Sequence, residues 1–101
     1  MPEIRQIREG VQRQGVDEKI AWIVDVSGWT ASPTSPSTIA KDSGGASISG
    51  VLSGTPTASG STITLPTLQN LTSGCRYRIE FKFLDPGSNT LEGYMLVDGE
   101  T

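Results

Sequence analysis

The chain contains no histidine and a single cysteine, Cys75. Without histidine the usual general base is missing, along with the commonest zinc ligand and the Ser-His-Asp and Cys-His arrangements. One cysteine closes no intramolecular disulfide. No apolar run approaches a membrane span or the core of a secretion signal, so the expectation is a protein that stays in a reducing cytoplasm. Aromatic residues make up 6% of the chain and basic residues form no cluster beside them, which argues against a nucleic-acid interface in a chain of net charge −3. Charge is also missing locally. From Ser43 through Cys75 there is no Asp, Glu, Lys or Arg, and Ser, Thr and Gly dominate.

What is present fits one domain, since 101 residues support one modest core. Residues 1–18 read as an arm and residues 19–101 as the folded domain. In the arm, Ile4, Ile7 and Val11 stand at helical spacing and predict a short amphipathic turn, interrupted by Gly10 and Gly15. From Lys19 the period changes to two. Ile20, Trp22, Val24 and Val26 alternate with Lys19, Ala21, Ile23 and Asp25, predicting a first strand that Ser27-Gly28-Trp29 ends. Pro33 and Pro36 predict a loop up to a short strand at Ser37 to Lys41. Asp42-Ser43-Gly44-Gly45 is a turn, Ser47 to Leu52 and Ser61 to Leu65 read as strands, and Ala58-Ser59-Gly60 reads as punctuation between them.

The strongest signal is Cys75 to Phe83. Tyr77, Ile79, Phe81 and Phe83 fall on one face, and Arg76, Arg78, Glu80 and Lys82 on the other. Asp85-Pro86-Gly87-Ser88-Asn89 is a turn, and Thr90 to Val97 returns as the last strand of a hairpin. Short strands at this even spacing predict an all-β fold, an immunoglobulin-like antiparallel β-sandwich of about seven strands with an extended N-terminal arm.

The segment Leu68 to Tyr77 resembles the corner before the penultimate strand of fibronectin type III and related immunoglobulin-like domains. The resemblance implies a structural corner of Leu68, Leu71, Gly74 and Tyr77, in which Leu71 plugs the sandwich end, Gly74 permits the turn, and the Tyr77 hydroxyl bonds back to the backbone of the corner. Over nearly its whole length the chain is similar to small tailed-phage virion proteins. The shared pattern is a charged arm with Gln14-Gly15-Val16-Asp17-Glu18-Lys19, a strand ending at Trp29, Ser/Thr/Gly-rich strands over Gly44 to Pro66, and the final corner and hairpin. That likeness implies a capsid decoration or cement protein on the virion surface, assembled in the bacterial host cytoplasm. It would bind the major capsid protein and sister copies, as a homo-oligomer with a trimer as the first expectation. A neck or fibre-tail adaptor is the alternative, and a carbohydrate-binding module using Trp29 and Tyr94 is a further one.

Under the first reading the partner-binding residues are Ile4, Arg5, Ile7, Arg8, Val11 and Arg13 of the arm, with Trp29 as an anchor. No enzyme activity is expected. Cys75 has no base beside it and reads as a small packing residue, and Asp42, Asp85, Asp98 and Glu100 lack the spacing of a calcium loop. No cofactor, metal, small-molecule substrate, membrane or nucleic acid enters the expectation. The neutral stretch is weighed evenly between a subunit-packing surface and a plain soluble β-rich region. The Asn70-Leu71-Thr72 sequon reads as unused, because no secretion signal accompanies it.

Overall fold

A computed structural model describes residues 11–28, 30 and 32–100, and residues 5–6 by their backbone. The fold is all-β, with mainly antiparallel strands in three sheets. The first contains β1 (Arg5–Gln6), β2 (Gln12–Gly15), β4 (Thr34–Lys41), β5 (Ser47–Ile48), β10 (Arg76–Leu84) and β11 (Thr90–Glu100). Its order is β1-β11-β10-β4-β5, with β2 also on β11. The second, in the order β3-β8-β7, joins β3 (Ile23–Asp25), β7 (Thr57–Ser59) and β8 (Thr62–Thr64). A small pair joins β6 (Leu52–Ser53) to β9 (Thr67–Leu68).

The hairpin of β10 and β11 is the centre of the first sheet. Its register runs without interruption from Arg76 opposite Asp98 to Leu84 opposite Thr90. The turn closes through Asp85 N–H to Asn89 O at 2.9 Å, while the Asp85 carboxylate accepts the Asn89 backbone N–H at 2.8 Å. Alternation then sorts the side chains. Tyr77, Ile79, Phe81 and Phe83 are buried, and their neighbours Arg76 and Lys82 are exposed. Met95 and Val97 of β11 and Ala40 of β4 complete this face, and Val24, Val26 and Ile63 from the β3 and β8 region join them in one buried cluster. The core therefore draws on both larger sheets.

Several local expectations change. The arm forms strands in its described part, because the outer edge of β11 offers backbone partners that a short isolated helix lacks. The first strand is shorter than its periodic run. Only Ile23–Asp25 pairs as a strand, and Ile20 makes a single bridge to Leu68. In the other direction β4 begins at Thr34 and includes Pro36, where a loop is expected. The register slips between Lys82 and Leu84, and Ser35 takes a φ of 51°. Proline is thus accommodated at a bulge, on a strand that β5 covers only at Ala40 and Lys41. Gly50, with φ 86°, divides the run expected at Ser47 to Leu52 into β5 and β6. Ala58 and Ser59, read with Gly60 as punctuation, belong to strand β7 (Thr57–Ser59).

Candidate interaction surfaces

One glutamine of the arm is buried against the rest of the chain. Gln14, on β2, is 1% exposed. Its Nε2 donates to Leu68 O at 2.7 Å and to Glu18 O at 3.0 Å, and its Oε1 accepts from Trp22 Nε1 at 2.8 Å. All three bonds join a donor to an acceptor, so a buried amide is accommodated without an orphaned group. Around it Gln12–Gly15 pairs in parallel with Val97–Glu100, and Val16 N–H donates to Glu100 O at 2.8 Å. A run of polar residues gives no sign of this in the sequence, because nothing marks Gln14 apart from Gln6 and Gln12.

The corner is built from backbone close approach. Tyr77 Oη accepts the Thr72 N–H at 2.7 Å, Gly74 N–H donates to Gly99 O at 3.0 Å, and Gly99 N–H donates to Cys75 O at 2.9 Å. Leu68 and Leu71 are buried, and Gly74 sits at φ 81°. Gly99 is a second residue that sequence reasoning missed. A Cβ there would lie 2.5 Å from Thr72 O, so only glycine lets the last strand lie against the corner. Cys75 is exposed, contrary to the packing role expected for it, because the inward face of the hairpin starts at Tyr77.

Of the arm residues expected to bind a partner, Arg5 is described by its backbone, and Val11 and Arg13 with their side chains. Arg5 pairs through its backbone with Gly93. Val11 is 40% exposed, and Arg13 reaches Glu100 of its own chain at 3.5 Å. Ile4, Ile7, Arg8 and Trp29 lie outside the described residues.

The two sheet faces differ sharply in charge. On the outer face of the first sheet, Arg76 holds Asp98 through two contacts of 2.7 and 3.2 Å, which raises the Arg76 pKa and lowers that of Asp98. Arg78 Nε is 2.7 Å from Glu80, Lys41 is 3.3 Å from the same carboxylate, and Lys82 is 3.5 Å from Glu92. The Arg78 guanidinium also lies 3.9 Å over the Tyr94 ring, occupying that aromatic face. Exposed pairs of this kind stabilise little, but they neutralise the face internally. The second sheet is different. Its outward rows are Ile23, Thr64 and Thr57, then Asp25, Thr62 and Ser59, as the strand registers require. Asp25 is its sole charge among the described strand residues, and Ile23 is 65% exposed.

Among the described residues no group of three His, Cys, Asp or Glu side chains is placed to hold a metal ion. No protein-family model, curated protein or solved structure matches the chain. Its chemistry is read from these surfaces alone.

Proposed function

We propose that this chain is a virion structural protein of a tailed phage, a capsid decoration protein that binds the major capsid protein and sister copies at the outer surface of the head. We propose with it that the fold is an immunoglobulin-like sandwich, β11-β10-β4-β5 against β3-β8-β7. The shared buried cluster and the Tyr77 corner support this.

The observation that carries the functional reading is the charge-poor outer face of β3-β8-β7, where Asp25 is the one charge among the described strand residues. A free monomer usually guards such a face and its edge strands with charge. Here small hydroxyl side chains surround an exposed Ile23, while the other sheet carries the ion pairs. Interface centres are depleted in charge, so this face suits contact with another subunit. Individually weak contacts of this sort hold when many copies attach side by side. A sugar-binding platform is less well supported, since Arg78 covers the Tyr94 ring.

The first test is the amount of this chain in purified virions, measured by quantitative mass spectrometry against the major capsid protein. An amount that scales with the capsid supports decoration. A small, connector-like number moves the protein to the neck or tail, and absence from the particle overturns the virion reading. The face itself is tested by Thr64→Lys, which puts a charge at its centre. Capsid binding should be lost while the circular dichroism spectrum stays unchanged; full binding would remove this face from the interface.

A further inference from the structure

The arm occupies a site that any copy of the same arm fits. β11 is the longest strand, and its outer edge is taken in two pieces, at Gly93 and Tyr94 by β1 and from Val97 to Glu100 by β2. Parallel pairing is the weaker kind per residue, and both pieces are short. Much of the hold therefore comes from Gln14, whose one long-range partner is Leu68 O.

The connection between arm and domain is equally slight. Asp17, Glu18 and Lys19 are exposed, and the turn closes through Glu18 N–H to Gly15 O at 3.0 Å and Gly15 N–H to the Glu18 carboxylate at 2.7 Å.

We propose that copies of this chain exchange arms. The turn from Val16 to Lys19 opens, and β1 and β2 of one copy take the β11 edge of another, with Gln14 seated on Leu68 and Trp22 of that second copy. Each ladder bond and each Gln14 contact to Leu68 and Trp22 is remade between chains. Closed and exchanged forms then differ mainly in the turn and in the concentration of neighbours, the usual condition for exchange of an identical element. Four extended residues reach about 13 Å, so the copies must lie side by side, as in a two-fold pair or a small ring. The proposal does not depend on the virion reading, since it concerns the purified chain alone.

Arg13 and Asp98 are register partners on the arm and β11. Two chains are made in a Cys75→Ser background, one carrying Arg13→Cys and the other Asp98→Cys, with tags of different size. They are mixed at high concentration, oxidised and separated without reductant. Exchange predicts that the mixed disulfide exceeds the two like pairs taken together, the share that random pairing gives, and that this excess rises with concentration. Gln14→Ala in the Arg13→Cys chain should make it appear roughly 30- to 100-fold faster, the effect of opening an arm that has lost the ~2–3 kcal/mol of its Gln14 hydrogen bonds. A mixed disulfide no more abundant than random pairing allows, with and without Gln14→Ala, overturns the proposal.

Discussion

Replacing Gln14 by alanine tests whether one side chain fastens the arm. The change removes two donated bonds, to Leu68 O and Glu18 O, and the acceptor for Trp22 Nε1. Leu68 O keeps a second partner in the Ile20 N–H at 3.1 Å, so it is not orphaned. Trp22 Nε1 is the group left without its acceptor. With each hydrogen bond worth about 0.5–1.5 kcal/mol net, the loss should be about 2–3 kcal/mol. For a domain of this size that lowers the thermal midpoint by roughly 10–20 °C. Gln14→Met separates the causes, because it keeps the volume but not the bonds. If hydrogen bonding dominates, methionine recovers less than half of the loss. The assay is urea unfolding followed by far-ultraviolet circular dichroism, with tryptophan fluorescence as a second probe. A Gln14→Ala chain within about 0.5 kcal/mol of the parent, the range of an ordinary surface change, would refute the reasoning.

Tyr77→Phe removes the acceptor for the Thr72 N–H and should cost about 1–2 kcal/mol by the same unfolding measurement, with the ring's burial retained. Acid should also destabilise the chain. Asp98 is lowered first by its hydrogen bond from Arg76, and Asp85 first by the backbone N–H of Asn89. Because both folded pKa values lie below the unfolded ones, the native state binds fewer protons there. Their contribution is complete above the ordinary carboxylate range and is lost as pH falls through the folded values. Asp85→Asn and Asp98→Asn should each flatten the acid limb of stability against pH; an unchanged limb in both would assign acid sensitivity elsewhere. Cys75 should react with a thiol reagent in the folded protein as fast as a small free thiol to within about tenfold, and slow, unfolding-limited reaction would contradict its exposure.

The parts legible in the sequence are those whose pattern is set by burial on one face. Tyr77 to Phe83 alternate against Arg76 to Lys82, and the Asp85 to Asn89 turn has its own chemistry, so the hairpin follows from local sequence. The missed parts depend on partners far along the chain. β2 is strand because β11 lies beside it, and Gln14 is buried because Leu68 and Trp22 meet it there. Pro36 reads as a breaker until the bulge near it is seen, and Gly99 is ordinary until Thr72 O is placed against it. Charge tells a similar story. The neutral stretch is visible by inspection, but that β7 and β8 from it share a charge-poor face with Ile23 requires the registers of β3, β7 and β8.

The pairing of β2 with β11 also orders events in time. Gln12 finds Val97 only across most of the chain, so this contact, like that of Arg5 with Gly93, closes a very large loop. Loop closure of that span is entropically late, and contacts this distant in sequence slow folding. On the ribosome the order is fixed, because β2 emerges well before its partner β11. Until Glu100 has left the exit tunnel, β2 has no edge to join. The first described strands of the protein are thus the last to find their place.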